Sequence, residues 1–488
     1  MPEKTLKEKT AKGLMWGTIS NGAQLVLGTL FGIFLARILS PSDYGMVGLL
    51  TVFSQIASVL QDSGFRTALA NRREIVHEDY NAVFWFNVGT SCVMYLLLFF
   101  LAPLITEFYQ HSDAAANQDL SELTPLARFS FLGFVIASLG TAHYAYLFRT
   151  LQVKQKAIIT VISLTTSSTI GLTMALKGYA YWGLATQGIA FTTCNTILFW
   201  YFSKWRPTLP VSFHPLKEMF GFSSKLLAND ICNNINGNIL SVMLGRFYAV
   251  HDVGLYNQAN KWTSMVSTMV LGTIKDVAQP VLRNVETERE RHKRVFRKML
   301  RFNAFMVFPA LFGLALISRE LILITVTEKW LDCVPLMQIL CAGAFTVPIQ
   351  YLCANLVITK ERSDLVLWNT VGMGLTQISA IFFSYPYGIH TMVCVYTAIN
   401  IAWLTIWFYF VHREIGLRLW EAVLDLFPYA ALAMVVTAFV TSPIENIYLL
   451  LGLKIFIAAL LYGGLMWLFG SVTFKECISY LLNKKRAR

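Results

Sequence analysis

The chain has 488 residues, of which 55% are hydrophobic and 14% charged, and its formal net charge at pH 7 is +12. A soluble protein usually carries about 25% charged residues, and single hydrophobic cores stop growing near ~250–300 residues, so the composition excludes one large water-soluble domain. Apolar runs of roughly 20 residues, the length that crosses a hydrocarbon core of about 30 Å, predict an integral membrane protein.

The apolar runs predict an all-α protein with about fourteen membrane-spanning helices. Short connections with turn residues separate them, as at Ser40-Pro41 and Ser442-Pro443. The basic N-terminus precedes an apolar run that is too long for a signal peptide, so we interpret this run as a retained first span. The predicted spans are 14–37, 44–69, 81–106, 126–148, 155–176, 181–203, 219–246, 253–274, 302–325, 333–358, 363–385, 389–411, 422–441 and 447–470.

The positive charges alternate between the predicted loops. Lys and Arg are concentrated in the N-terminal segment, in every second loop, among them the one with Arg149, Lys154 and Lys156, and in the C-terminal tail. Because cytoplasmic loops are enriched in these residues, we predict that both termini are cytoplasmic. The charge of +12 is therefore interpreted as an orientation signal, and no nucleic-acid partner is expected.

The basic segment 276–301 divides the chain near its middle. Its charged residues alternate with apolar ones, which predicts an amphipathic helix on the inner membrane surface, held by anionic lipid. A solvated connecting helix is the alternative. The eight cysteines form no C-x-x-C pair, so they are interpreted as small apolar residues, and neither a disulfide framework nor a metal site is expected.

An internal repeat relates the two halves of the chain. Arg37-x5-Asp43-Tyr44-Gly45 and Arg246-x5-Asp252-Val253-Gly254 each lie at the end of the first span of a six-span block, with an offset of 209 residues. An even number of spans separates the copies, so the blocks share one orientation, as in transporters built from parallel repeats. We predict three parts: 1–210 with spans 1–6, 211–415 with spans 7–12, and 416–488 with spans 13–14 and a basic tail.

Catalytic signatures are absent from the sequence. It contains no Walker A motif, no H-E-x-x-H, no G-x-S-x-G and no dinucleotide-binding glycine pattern. The chain is therefore not expected to be an enzyme, and no cofactor is predicted.

Span 7 carries polar residues inside the predicted membrane, where polarity is costly and usually functional. Asp230, Asn234 and Asn238 share one face by four-residue spacing, and Asp230 is about 16 Å into the membrane at 1.5 Å per residue. This pattern favours a water-filled cavity over a buried network of interhelical hydrogen bonds.

Spans 1, 2 and 8 also carry polar stripes, which makes them candidates for lining the same cavity. Some of these residues have an alternative interpretation without a functional role: Arg66 lies near the inner face, where its side chain can extend to the membrane interface. The candidates are Asn21 and Gln24 in span 1, Asp62 and Arg66 in span 2, and Asn257 and Lys261 in span 8.

Cations at this depth suit an anionic head group such as a diphosphate, through charge-assisted hydrogen bonds. Three roles for Asp230 stay open: it neutralises Lys261, it binds and releases H⁺, or it binds and releases Na⁺. A substrate-binding cavity with Asp230 as the candidate ion-coupling residue is the resulting hypothesis.

The sequence resembles Wzx-type polysaccharide flippases of the multidrug/oligosaccharidyl-lipid/polysaccharide (MOP) exporter superfamily. The resemblance rests on Ile33–Gly45, on Asp62-Ser-Gly-Phe65 and on Phe84-Trp-Phe-Asn87 in the first half. In the second half it rests on Phe220-Gly-Phe-Ser223, Leu244-Gly-Arg246, Val253-Gly-Leu-Tyr-Asn257 and Glu328-Lys-Trp330.

This resemblance implies two pseudo-symmetric six-helix lobes with alternating access, and transfer of an undecaprenyl-diphosphate-linked saccharide to the outer leaflet for surface polysaccharide, such as lipopolysaccharide. It implies the inner membrane of a bacterial cell, with membrane lipids and other polysaccharide assembly proteins as partners. Arg66 and Lys261 are the counterparts of diphosphate-binding cations. The first alternative is a multidrug or metabolite/cation antiporter of the same fold, which is disfavoured because span 1 of this chain has no acidic residue. The second alternative is an embedded polysaccharide polymerase or ligase. It is disfavoured because the outer loops of this chain are short.

Overall fold

The computed structural model describes most of the chain. The described residues are 6–62, 69, 75–110, 119–150, 152–209, 211–360, 362–439, 446–468, 474–475 and 479. Arg66 lies outside this set, and the side chain of Asp62 is not described.

All regular elements in these ranges are helices, which confirms the predicted all-α fold. Two short 3₁₀ helices, Glu328–Trp330 and Tyr385–Tyr387, accompany the α-helices. The α-helices are α1 Leu6–Ile38, α2 Pro41–Asp62, α3 His77–Gln110, α4 Leu123–Arg149, α5 Val153–Leu176, α6 Tyr181–Phe202, α7 His214–Phe247, α8 Val250–Asn284, α9 Arg289–Thr325, α10 Cys333–Ala344, α11 Thr346–Thr359, α12 Ser363–Ser384, α13 Ile389–Ala402, α14 Leu404–Ile415, α15 Leu419–Phe439 and α16 Ile447–Leu468.

Eleven helical segments among the described residues are long and apolar enough to cross a membrane. They correspond to predicted spans 1–5 and 9–14, with α10–α11 and α13–α14 each forming one span. Predicted spans 6, 7 and 8 coincide with α6, α7 and α8, which have 22, 34 and 35 residues but a more polar composition. The protein is thus a multi-pass membrane protein, and the number fourteen stays a prediction.

The chain divides into two compact units, Met1–Gly254 and Leu255–Arg488. Helix α7 belongs to the first unit, and α8 begins in the first unit and continues into the second. The predicted division into 1–210, 211–415 and 416–488 stays a prediction.

In the first unit, α5 packs against α1 and α6, α3 against α4, and α2 against α7. Polar side chains join the helices: Thr196 of α6 donates a hydrogen bond of 3.0 Å to the Ile136 carbonyl of α4, and Trp200 donates one of 2.8 Å to Leu139. The segment after α6 is tied to α3, since the Asn81 amide exchanges two hydrogen bonds of 2.9 Å with the backbone of Thr208. These contacts join α4 to α6, and α3 to the segment after α6.

In the second unit, α9 packs against α10, α15 and α16. With 37 residues it is about 55 Å long, which exceeds a hydrocarbon core of about 30 Å. The basic segment 276–301 is not the single helix predicted from its pattern: it consists of the end of α8, a turn and the first turns of α9. The physical reason is that some of its basic side chains pair with acidic side chains of α15, as Lys293 does with Glu421, and not with lipid. The segment is therefore packed within the protein as the end of α8 and the beginning of α9.

Two groups of ion pairs hold α15 and α16 on α9. Near the start of α9, Arg297 makes two hydrogen bonds of 2.6 and 2.9 Å to Asp425 of α15, and Arg301 makes one of 2.7 Å to the same carboxylate. Farther along α9, Glu320 accepts a hydrogen bond of 2.8 Å from Lys454 of α16, with side-chain exposures of 8% and 14%. A carboxylate so buried requires its partner, because an unpaired charge in an apolar surrounding is strongly unfavourable.

We predict that Lys454→Met destabilises the protein by about 3–5 kcal/mol, the usual cost of removing one partner of a buried ion pair. The charge-reversed double variant Glu320→Lys/Lys454→Glu should recover most of that loss. Thermal unfolding in detergent measures both effects. Arg319→Met, at the exposed neighbour of Glu320, is the matched control and should change the stability by less than about 0.5 kcal/mol. Equal unfolding temperatures for Lys454→Met and the control would contradict the prediction.

Candidate functional site

A polar cavity of 730 Å³ lies inside the first unit. Its wall includes Asn21 and Gln24 of α1 and Asp230 of α7, three of the residues that the sequence predicted. The remaining polar wall comprises Ser20 and Ser58, on the two helices α1 and α2 that the sequence also predicted, and residues of α4, α5 and α6, which it did not predict: Thr141, Tyr144, Lys156, Thr160, Thr192, Asn195 and Thr196. The cavity offers many neutral hydrogen-bonding groups and two side chains of opposite charge.

Lys156 supplies the positive charge of the cavity. Its ammonium group donates a hydrogen bond of 2.9 Å to the Tyr144 hydroxyl and lies 4.1 Å from the centre of the Tyr144 ring and 4.7 Å from that of Phe148. These partners, a hydroxyl and two ring faces, carry no negative charge, so none of them is a counter-ion for the ammonium group. Among the ion pairs of the described residues, none involves Lys156.

The sequence predicts Lys156 in an inner loop, as an orientation charge. The structure places it in the first turns of α5, which begins at Val153. The sequence does show a positive charge at this place, since Lys156 directly precedes the apolar part of a span. However, a lysine that orients a helix and a lysine that lines a cavity have the same sequence pattern there. The neighbouring Lys154 illustrates this: it is exposed and lies 5.6 Å from the Trp16 ring, and it is not part of the cavity wall.

Asp230 and Asn238, which share a face of α7, have different surroundings. Asp230 is exposed to the cavity. Two turns later, the Asn238 amide donates a hydrogen bond of 2.6 Å to the Gln55 side-chain oxygen of α2. Asn234, between them, bonds to the backbone carbonyl of Asp230. The stripe on α7 is therefore part cavity wall and part interhelical hydrogen-bond network, so each of the two interpretations of the sequence describes one part of it.

Of the remaining predicted site residues with described side chains, Asn257 and Lys261 are not part of this cavity wall. Arg66 lies outside the described residues, and Asp62 is the last residue of α2. Asn257 and Lys261 are in the second unit on α8, where Asn257 is half-buried and Lys261 exposed. The second unit has its own small polar pocket of 140 Å³, whose wall includes Asn260, Ser264 and Thr268 of α8 with Tyr396 and Asn400 of α13.

Comparison with solved structures shows that the fold is shared with known transporters. "Lipid II flippase MurJ, inward closed conformation" matches with a TM-score of 0.73 and 14% identity, over 95% of this chain and 100% of that one. A multidrug resistance MATE family transporter of the MOP superfamily, in an inward-facing conformation, matches with a TM-score of 0.66 and 14% identity, over 81% of this chain and 94% of that one. Fold and cavity together define a multi-pass helical membrane protein with the MOP fold.

The chain belongs to the polysaccharide biosynthesis protein family, whose profile matches residues 34–335. It is 28% identical over 369 residues to the lipopolysaccharide biosynthesis protein WzxC of Escherichia coli (strain K12), covering 74% of this chain and 72% of that protein. It is 23% identical over 400 residues to the teichuronic acid biosynthesis protein TuaB of Bacillus subtilis (strain 168), covering 81% of each. These matches confirm the resemblance found in the sequence.

We predict that Asn238 and Gln55 are energetically coupled. In a double-mutant cycle of Asn238→Ala and Gln55→Ala, thermal unfolding in detergent should give a coupling energy of about 0.6 kcal/mol and at most roughly 1.7 kcal/mol, the range of interhelical hydrogen bonds in membrane proteins. A cycle of Asn234→Ala with Gln55→Ala is the control and should show additivity. Coupling of equal size in both cycles would refute the assignment.

Proposed function

We propose that this protein is a flippase that moves an undecaprenyl-diphosphate-linked saccharide from the inner to the outer leaflet by alternating access, for surface polysaccharide biosynthesis. Family membership and the MOP fold support a transporter. The names of the relatives support a role in the biosynthesis of a surface polysaccharide. The observation that carries the proposal is the polar cavity of 730 Å³ with the Lys156 ammonium in its wall.

The cavity suits the head group of such a lipid. The saccharide presents hydroxyl groups, which pair with the neutral side chains Asn21, Gln24 and Asn195. The diphosphate presents anionic oxygens, which pair with the ammonium of Lys156 through charge-assisted hydrogen bonds. In apolar lipid these head groups have no other partners, so a polar cavity lowers the barrier to their crossing. Arg66 and Lys261 remain proposed contributors to head-group binding, as do Asp62, Asn234, Asn238 and Asn257.

We propose a transporter without enzymatic activity, since moving a lipid-linked saccharide between leaflets requires binding and no covalent step. Its place is the inner membrane of a bacterial cell, with both termini cytoplasmic, as the distribution of Lys and Arg supports. Its partners are membrane lipids and other proteins of polysaccharide assembly.

The test of the proposal is flipping of a labelled undecaprenyl-diphosphate oligosaccharide in proteoliposomes. Lys156→Met should lower the flipping rate roughly 10- to 100-fold, because one hydrogen bond to a charged group is worth about 1.5–3 kcal/mol. Lys154→Met is the matched control, with the same charge change two residues away, and should retain the wild-type rate.

Three results would count against the proposal or a part of it. Absence of flipping with several lipid-linked saccharides would overturn the flippase function. Transport of a soluble organic cation without any lipid-linked saccharide would favour the antiporter instead. A rate for Lys156→Met equal to that of the control would remove Lys156 from the binding site.

We further propose that Asp230 couples transport to an ion, H⁺ or Na⁺, since a carboxylate exposed to a cavity within the membrane exchanges its ion with cavity water. Asp230→Asn keeps the size of the side chain and removes the charge. It should abolish the dependence of the flipping rate on an imposed pH or Na⁺ gradient. Asp252→Asn, in the first turn of α8, is the control and should preserve that dependence. An unchanged gradient response in Asp230→Asn would end the coupling role.

A further inference from the structure

Prolines interrupt the backbone hydrogen bonds of two spanning helices far from the first turn of each. Pro103 lies inside α3 and Pro309 inside α9. Because proline has no backbone N–H, the carbonyl group four residues earlier loses its helical hydrogen bond. The two carbonyl groups concerned are those of Phe99 and Phe305. In apolar lipid no water can bond to them, so each is costly unless another donor reaches it.

In α3 the missing donor is replaced by an arginine of the next helix. The Nε atom of Arg128 in α4 donates a hydrogen bond of 3.2 Å to the Phe99 carbonyl, and the guanidinium lies 4.2 Å from the centre of the Phe99 ring. Arg128 is half-buried within a spanning helix, where an arginine is expensive. No ion pair of the described residues includes it. The freed carbonyl and the ring therefore account for its position.

In α9 the missing donor is replaced by a tyrosine of the last helix. The hydroxyl of Tyr462 in α16 donates a hydrogen bond of 3.3 Å to the Phe305 carbonyl, and the two rings lie 6.1 Å apart. Tyr462 is only 8% exposed, and a buried tyrosine hydroxyl needs a polar partner. The carbonyl that Pro309 leaves without a backbone donor provides that partner.

The two prolines occupy corresponding helices of the internal repeat. Helices α3 and α9 are the third spans of the two predicted six-span blocks, and Pro103 and Pro309 are 206 residues apart, close to the repeat offset of 209. The donors do not correspond, because Arg128 comes from the next span and Tyr462 from the last one. Different side chains thus serve the same backbone requirement in the two units.

A third proline follows the same rule at the break between α10 and α11. Pro348 is the third residue of α11, and the carbonyl four residues earlier belongs to Ala344. The hydroxyl of Ser267 in α8, which is buried, reaches that carbonyl at 3.4 Å. By contrast, the Ile136 carbonyl, which accepts a bond from Thr196, precedes Gly140, whose N–H continues the helix.

We infer that Pro103 with Arg128, and Pro309 with Tyr462, are two latched bends. In each, a side chain of a neighbouring helix replaces the backbone donor that proline lacks. Proline bends a helix, and the side-chain bond gives the bent backbone a partner inside lipid. It also joins α3 to α4 and α9 to α16, so each latch keeps its helix in one bent conformation. Neither latch depends on what the protein transports.

A double-mutant cycle of Tyr462→Phe and Pro309→Ala tests the latch of α9 by thermal unfolding in detergent. Tyr462→Phe alone should lower the unfolding temperature by roughly 2–6 °C, because it leaves a buried carbonyl without a donor. Combined with Pro309→Ala, it should lower the temperature by less than half as much, because alanine restores the backbone N–H. A tyrosine that only fills space would cost the same in both backgrounds.

The cycle of Arg128→Met and Pro103→Ala tests the latch of α3 in the same way. Its contact with the Phe99 ring is lost in both backgrounds and cancels, so the coupling reports the hydrogen bond. Exchanging the prolines gives the controls: Arg128→Met with Pro309→Ala, and Tyr462→Phe with Pro103→Ala, should be additive.

Tyr429→Phe with Pro309→Ala is the matched control within the second unit. The Tyr429 ring lies 6.2 Å from the Phe305 ring, but its hydroxyl is not the donor to that carbonyl. This pair should therefore be additive. Additive losses in the cycle of either latch would overturn the inference for that bend, and so would coupling of equal size in its controls.

Pulsed electron paramagnetic resonance tests whether the latch holds α9 in one conformation. Spin labels on Lys298→Cys and Arg319→Cys, at exposed positions on either side of Pro309, report the shape of the helix in a background whose eight cysteines are replaced. Tyr462→Phe should broaden the distribution of distances, and Pro309→Ala should narrow it again. A distribution that Tyr462→Phe leaves unchanged would overturn the latch.

Discussion

A hydrocarbon core contains no water to satisfy polar groups, and the structure of this protein depends on that constraint. Backbone amides and carbonyls must pair within each segment, so the spanning elements are helices. Polar side chains are subject to the same cost. Some of them pair with a neighbour, as Asn238 does with Gln55 and Glu320 with Lys454, and others contribute to a polar cavity, as Asp230 does.

The paired polar residues contribute to stability, and the polar residues of the cavity contribute to function. The paired residues hold helices together: α7 on α2 in the first unit, and α15 and α16 on α9 in the second. The cavity residues retain hydrogen-bonding capacity for a ligand. Lys156 is the clearest example, because a hydroxyl and two ring faces position its ammonium group and leave its charge available to an anion. A flippase for a lipid with an anionic, hydroxyl-rich head group needs such a cavity.

Two glycines determine how closely the first turns of α2 and α8 approach: a Cβ atom added to Gly45 would overlap the Val250 carbonyl oxygen, and one added to Gly254 would overlap the Pro41 carbonyl oxygen. Where two helices begin against each other, removing both side chains allows backbone to approach backbone, and the repeat provides the two glycines at matching positions. A pair of larger residues would keep the turns apart.

The sequence by itself determined the all-α membrane fold and the family, because apolar run length and local motifs are readable along the chain. It also identified Asn21, Gln24 and Asp230 as residues of a cavity, since polarity within an apolar span is a local signal. Only the tertiary structure decided which polar residues pair and which line the cavity. Asn238 and Asp230 occupy one face of α7, yet the packing of α2 against that helix gives them different partners. In the sequence, Lys156 was indistinguishable from an orientation charge, because the packing of α5 against α4, which places its ammonium group beside the Tyr144 hydroxyl, is not readable along the chain.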